Sequence, residues 1–259
     1  MVSAVVIREK ANVSIERILR LLERSSEAGR SENASKVPKN QRAFKLQQLV
    51  FSETGSGSPD MPLDLTCDQP GVYVLDEHIE CRTLYEAILG FVKPTSGKII
   101  LNDESKETLD IVDIRKATAW ITERPVLFEG TIEENITLPL SREKRNNIIP
   151  LLSLFEILPK NPEDWLNSSV RADGHNLSLE EKHLICLIRV MLLKPMFVLI
   201  EDIPYSSKVA AYLVYVIEYL SDHSIILVSS RTAEWVKSVT DSTILPTKRA
   251  LATKRTGIL

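Results

Sequence analysis

A chain of 259 residues, 44% of them apolar, can bury a sizeable core as one large domain or two small ones. Its formal charge of −3 gives no footing for nucleic acid, and no apolar run approaches the roughly 20 residues that a bilayer span needs. Cys67, Cys81 and Cys186 lack metal-ligand spacing, and their odd number argues against a disulfide framework and fits a reducing cytoplasm.

In chain order, the opening residues lack the basic start, long apolar run and cleavage site of a signal peptide. The spacing of Ile15, Ile18, Leu19 and Leu22 predicts a helix over 13–24, with Asn12 or Ser14 as its N-cap. Residues 25–40 are rich in Ser, Glu, Lys, Asn and Arg and read as a linker. Strands are predicted over 44–51, 63–66 and 71–75, with a loop at 54–59. A helix over 82–89 ends at Gly90, a good residue for the position after a helix. Short strands or turns follow at 98–101, 110–114 and 119–121, then a mostly helical stretch over 141–158. The last third alternates: helix 180–193, strand 197–200, helix 209–220, strand 225–228 and a final strand at Ile244-Leu245. Apolar strands alternating with helices predict a parallel sheet buried on both faces, hence an α/β core. Residues 248–259 form a polar, basic tail. There is no internal repeat.

The strand–turn–helix over 71–90 is the setting of a phosphate-binding loop, yet its turn reads Asp76-Glu77-His78-Ile79-Glu80-Cys81-Arg82. A phosphate cradle needs glycines, so that backbone N–H groups can close on the anion, and a lysine to neutralise it. This turn has neither. The whole chain holds nine glycines, about half the usual share of roughly 7%.

Four stretches carry a resemblance. Ser14-Ile15-Glu16-Arg17-Ile18 resembles a linker helix, and Pro94-Thr95-Ser96-Gly97-Lys98-Ile99 a turn after a phosphate-loop helix. Pro125-Val126-Leu127-Phe128-Glu129-Gly130-Thr131-Ile132-Glu133-Glu134-Asn135-Ile136 resembles a P-x-L-F-x-G-T-I-x-x-N-I motif, and Gly174-His175-Asn176-Leu177-Ser178, with Arg189, a signature loop and its helix. In this order they resemble the nucleotide-binding domain of an ATP-binding cassette (ABC) exporter of the type I secretion kind, over about 13–245. The resemblance implies a P-loop NTPase-like ABC cassette with a mostly parallel core sheet, an antiparallel β subdomain and a helical subdomain at about 130–190. It also implies a linker helix and flexible segment over 1–40, the cassette over 41–247 and the tail over 248–259.

The family's site residues do not carry over intact. Its first phosphate-loop glycines fall on Leu75, His78 and Glu80, its lysine on Cys81 and its serine on Arg82, and only Thr83 matches. A one-residue slip instead puts Arg82-Thr83 in the Lys-Ser place, still without glycine. The adenine-stacking aromatic falls near Glu53, the magnesium-sensing glutamine on Glu123 and the switch histidine on Ser230, followed by a retained Arg231. The signature becomes Leu177-Ser178-Leu179-Glu180-Glu181. The acidic pair after strand 197–200 is Glu201-Asp202, in reversed order. Alignment on Pro204 makes Asp202 the metal acid and puts Ile203 at the catalytic base.

Each position also has a plain structural reading. The turn can be a solvated loop, Glu201 and Asp202 solvated strand-end acids, and Leu127, Phe128, Ile132 and Ile136 core or a docking surface. Cys81 at a helix start is a candidate reactive thiol, opposed by three nearby carboxylates. His78, His175, His183 and His223 form no nucleophile–base grouping. The expectation is a catalytically inactive cassette at the cytoplasmic face of the membrane, with no metal site, needing no cofactor. Its expected partners are an exporter's transmembrane part and a second nucleotide-binding domain, as homodimer or heterodimer, and not nucleic acid. The alternatives are a divergent ATPase using ATP and Mg²⁺ through Arg82, Thr83, Asp202 and Ser178, or a free-standing protein-binding module.

Overall fold

The computed structural model describes residues 34–51, 62–137, 146–154, 161–203, 206–240 and 249–250. The readings at 13–24, Glu53, 54–59, Pro204 and Ile244-Leu245 lie outside them.

The first layer is an antiparallel sheet of β1 (Phe44–Val50), β2 (Leu63–Cys67), β4 (Ser96–Leu101) and β5 (Glu104–Ser105), in the order β2-β1-β4-β5. Phe44, Leu46 and Leu49 of β1 are buried, but the alternation breaks between Leu46 and Leu49, where the register shifts. Gln48 takes φ 49° there, and its amide donates to the Asp64 carboxylate at 2.8 Å. Gly97 of β4 lies against this bulge: a Cβ on it would stand 2.2 Å from the Gln48 carbonyl oxygen, and its own φ is +87°. The bulge therefore admits only glycine opposite it.

The second layer is a five-stranded parallel sheet in the order β11-β3-β10-β9-β6, with β3 at Gly71–Leu75, β6 at Thr118–Ile121, β9 at Phe197–Ile200, β10 at Ile225–Ser229 and β11 at Arg249–Ala250. Every residue of β9 and β10 is buried, as expected of strands covered on both faces. Successive side chains point to opposite faces. Phe197, Leu199, Ile225 and Leu227 join Phe44, Leu46 and Leu84 in one core. Val198, Ile200, Ile226 and Val228 join the helices of the other. Those helices are α3 (Ile132–Thr137), α4 (Ile148–Leu154), α5 (Pro162–Leu166), α6 (Leu179–Leu193), α7 (Ser207–Ser221) and α8 (Ser230–Thr240). A small ribbon of β7 (Gly130–Thr131) and β8 (Ser169–Val170) closes this helical part.

Helix α1 (Cys81–Ile88) follows β3 and buries Leu84, Tyr85, Ala87 and Ile88. Fully buried Tyr85 sets its ring edge-on to Trp120. Its hydroxyl lies 3.1 Å from the carbonyl oxygens of both Ile200 and Leu227. One side chain thus ties the first helix to the two central strands.

Three differences from the sequence reading have physical causes. Residues 110–114 are no strand: Asp110 accepts from the Val112 amide at 2.8 Å and caps α2 (Ile111–Ala117), which buries Ile111 and Ile114. The linker from residue 34 packs onto this helix: Val37 is buried and its amide donates to Asp113 at 2.7 Å. The tail's Arg249 and Ala250 form β11 against β3.

Replacing Tyr85 by Phe leaves the ring's packing and removes the hydroxyl. The expected loss is about 1–3 kcal/mol of unfolding free energy, measured as a lower urea midpoint with unchanged m-value. An unchanged midpoint would show that the strand carbonyls do not need this donor.

Candidate functional site

Parallel register builds the site. Leu75 pairs with Ser229, and Val228 and Ile121 both pair with Ile200, so β3, β10, β9 and β6 end at one level. The residues that follow them are far apart in sequence yet share a cleft of about 880 Å³. Clefts at the carboxyl ends of parallel strands are the usual binding place in open α/β sheets. This one is lined by seven carboxylates (Asp76, Glu77, Glu80, Glu123, Glu201, Asp202 and Glu234) against two guanidiniums, Arg82 and Arg231. It also takes in His78, Cys81 and Ser230 from the sequence reading.

The turn at 76–82 is folded by its own carboxylates. Asp76 accepts from the His78 amide at 3.1 Å through its side chain and from the Ile79 amide at 3.0 Å through its carbonyl. Glu80 is the N-cap of α1, taking the Thr83 amide on Oε2 at 2.9 Å. None of residues 76–82 has positive φ, so the alternation of right- and left-handed residues that makes an anion nest is absent from this turn. Arg82 turns back to Glu86 at 3.2 Å and lies 3.7 Å from Glu201. The Cys81 thiol is pushed up to about 12, first by burial and next by the charge of Asp202. That weighs against the reactive-thiol reading.

The acidic pair divides its work. Glu201 is 8% exposed, its Oε2 accepts from the Glu123 amide at 3.4 Å, and burial raises its carboxyl above the ordinary range. Asp202 is the more open of the two, holding the Ser229 hydroxyl at 2.6 Å and Arg231 at 2.7 Å. Ile203 is buried, its amide on the Thr232 hydroxyl at 3.2 Å, and does not present a base. Ser230 opens α8 and makes no catalytic contact among the described residues. No group of three or more His, Cys, Asp or Glu among them is arranged to hold a metal ion.

Leu177, Ser178, Leu179, Glu180 and Glu181 lie apart from the cleft lining, around the start of α6. Ser178 and Glu181 form a reciprocal capping box: the Ser178 amide donates to Glu181 at 2.8 Å and the Glu181 amide to Ser178 Oγ at 3.2 Å. Glu180 accepts from Ser206 at 2.5 Å, which holds its carboxyl below the ordinary carboxylate range, and sits 3.5 Å from Lys208. Leu177 packs against the helical core, whereas Leu179 is 44% exposed.

In the stretch 126–136 buried and exposed apolar side chains separate. Leu127, Ile132 and Ile136 are core, while Val126 and Phe128 are 64% and 57% exposed. Buried Asn135 fixes the loop, accepting from the Phe128 amide at 2.7 Å and donating to the carbonyls of Phe128 and Thr131. Arg189 donates to the Asn135 carbonyl at 2.7 Å, which ties this loop to α6.

Sequence reading missed Ser229 and Glu234 as cleft residues and Thr232 as their support, because only folding brings α8 to the β9 end. The Ser178-x-x-Glu181 spacing is a capping-box pattern that the sequence reading passed over.

Two outcomes are expected. At pH 7.5 Cys81 should be alkylated by iodoacetamide far more slowly than an ordinary thiol, read by peptide mass spectrometry; fast labelling would refute its burial. For Glu201, the raised folded value means that the native state binds the extra proton. Its contribution to stability therefore falls as pH rises from the unfolded value of 4.5 through the folded one. Glu201→Gln should flatten that fall in urea midpoints taken between pH 4 and 7.

Residues 81–204 match the sequence model of the ABC transporter family. ABC transporter C family member 3 of Dictyostelium discoideum is 28% identical over 118 residues, 45% of this chain and 8% of that protein. The vacuolar heme ABC transmembrane exporter of Schizosaccharomyces pombe is 31% identical over 122 residues, 46% of this chain and 8% of its own length. ABC transporter C family member 9 of Arabidopsis thaliana is 26% identical over 206 residues, 75% of this chain and 13% of that protein. The chain thus spans only a small part of these relatives. A bacterial Atm1-family ABC exporter with ATP bound superposes with a TM-score of 0.73 at 15% identity, covering 89% of this chain and 41% of that one. With the two sheets and the strand-end cleft already described, the structural likeness shows that the chain folds as an α/β ABC cassette, and residues 81–204 are similar to ABC transporter sequences.

Proposed function

We propose that this cassette does not turn over nucleotide and serves as a scaffold or regulatory partner in an ABC export system, at the cytoplasmic side of the membrane. The observation that carries the reading is the start of α1, where Glu80 already occupies the Thr83 amide. A helix N-terminus attracts anions through its unpaired N–H groups and dipole. Here the chain supplies that anion itself.

The remaining donors fit a magnesium-bound triphosphate poorly. Among the described residues the cleft lining contains no lysine, and its two arginines are engaged with Glu86, Glu201 and Asp202. A phosphate entering among seven carboxylates would meet repulsion of about 1–4 kcal/mol for each like charge at 4 Å. The Ser178 hydroxyl, the one surviving signature group, donates to Glu181 at 2.8 Å. No catalytic step is assigned to these residues.

A partner role draws on exposed Val126 and Phe128, held in place by the Asn135 frame. In this reading they face an exporter's transmembrane part. A type I secretion system is favoured only by the likeness of residues 125–136, and a second cassette as partner follows from the family's paired arrangement.

The test is titration of the purified chain with a fluorescent ATP analogue and Mg²⁺. No saturation is expected up to millimolar ligand, with or without the partner membrane subunit. Micromolar binding that Glu201 and Asp202 substitutions abolish, or phosphate release sensitive to Arg82→Ala, would overturn the reading in favour of a divergent ATPase.

A further inference from the structure

Helix α6 turns an imidazole into the protein interior. His183 is 0% exposed, and Leu184 and Ile185 after it are buried as well. Its Nδ1 lies 2.9 Å from the carbonyl oxygen of Leu179, one turn earlier. A carbonyl oxygen only accepts, so Nδ1 carries the proton and Nε2 of the neutral ring is a bare acceptor. That Nε2 is buried without a hydrogen-bond partner among the described residues. The backbone of Thr122, the residue after β6, lies near enough to favour a charged ring. His183 thus stands in the seam between the start of α6 and the end of β6.

Charge is costly in that seam. Burial acts most strongly on the ring and holds it below its ordinary value of 6.5, outweighing the Leu179 and Thr122 backbone groups that favour the imidazolium. Most charged groups of the surrounding elements are engaged elsewhere. On α6, Glu180 is held by Ser206 and by Lys208 of α7, Glu181 is held by Ser178, and Lys182 donates to the Asp173 carbonyl. Packed against α6, α3 brings Glu133 and Glu134, the latter bound to the Thr131 amide. Past β6 come Glu123, whose amide meets Glu201, and Arg124. None of these charges acts on the ring as strongly as burial and the two backbone groups do.

We propose that His183 is an acid-sensitive latch between the first turns of α6 and the end of β6. Neutral, the ring fills the seam; protonated, it leaves, and the start of α6 opens locally. An opened ring regains the ordinary value of 6.5. The folded value lies lower, so the closed form keeps its full advantage above pH 6.5 and loses it as pH falls towards the folded value. Across that window the ratio of open to closed rises by up to about tenfold per pH unit. The strand end that the latch holds leads into Val126 and Phe128, so acid would also loosen that surface, a consequence that rests on the partner reading above.

Amide hydrogen exchange of the full chain, corrected for the intrinsic pH dependence of exchange, tests the latch. Protection across 182–187 is expected to fall several-fold from pH 7.5 to pH 5.5, while β9 and β10 stay protected. His183→Gln keeps a polar side chain that does not titrate, and should lose this pH dependence. The same dependence in that variant would overturn the proposal and assign the effect to another group. A second readout needs no substitution: ring nitrogen shifts of the native protein by NMR. A proton on Nδ1 at pH 7.5 and a midpoint below 6.5 are expected. A proton on Nε2, or a midpoint at or above 6.5, would refute the latch. Neither measurement involves nucleotide, so failure here leaves the scaffold reading standing.

Discussion

The register of the parallel sheet is the constraint on which the site depends. Ile225–Ser229 pairs on one side with Gly71–Leu75 and on the other with Phe197–Ile200, which pairs in turn with Thr118–Ile121. A slip of one residue would exchange the two faces of a strand, sending Ile226 and Val228 into the core now filled by Ile225 and Leu227. Both faces are filled by different partners, so the register is fixed by packing from either side. The Tyr85 hydroxyl adds a polar lock across β9 and β10, at Ile200 and Leu227, close to where the cleft begins.

Helix starts impose the second constraint. The first N–H groups of a helix have no partner within it and must find one elsewhere. Three of these helices find a carboxylate from their own sequence: Glu80 for α1, Asp110 for α2 and Glu181, with Ser178, for α6. At α2 the cap is ordinary helix chemistry. At α1 and α6 the same chemistry fills helix starts where, on the proposed reading, a nucleotide-binding cassette would meet phosphate.

Much of the fold was legible in the sequence, for reasons that differ by element. Strands 197–200 and 225–228 announced themselves because short unbroken apolar runs, each following a longer helical pattern, fit strands buried on both faces. Helix Ile111–Ala117 did not, because Ile111, Val112 and Ile114 in so short a segment fit a strand as well, and the cap at Asp110 decides. The bulge at Gln48 was invisible, since the side chain that holds it, Asp64, comes from another strand. In the site, the family resemblance assigned Glu123, Glu201, Asp202 and Ser230 to one place. It could not show that Arg231 and Ser229 would both turn to Asp202, because that depends on how α8 leaves the sheet.

The two cores explain why such a cleft can vary while the cassette persists. Each is assembled from residues that lie beneath the strand ends, and Ile200, Val228 and Leu75 are sealed from solvent. The cleft residues stand mostly above that seal, where a surface substitution away from a cap or ion pair typically changes stability by less than about 0.5 kcal/mol. Glu201 is the exception among the carboxylates: buried and raised in pKa, it costs stability when charged at neutral pH. Arg82 and the Glu123 amide offset that cost by favouring the carboxylate. These two contacts bind the turn at 76–82 and the end of β6 to the tip of β9, so the acid that strains the site also holds its parts in place.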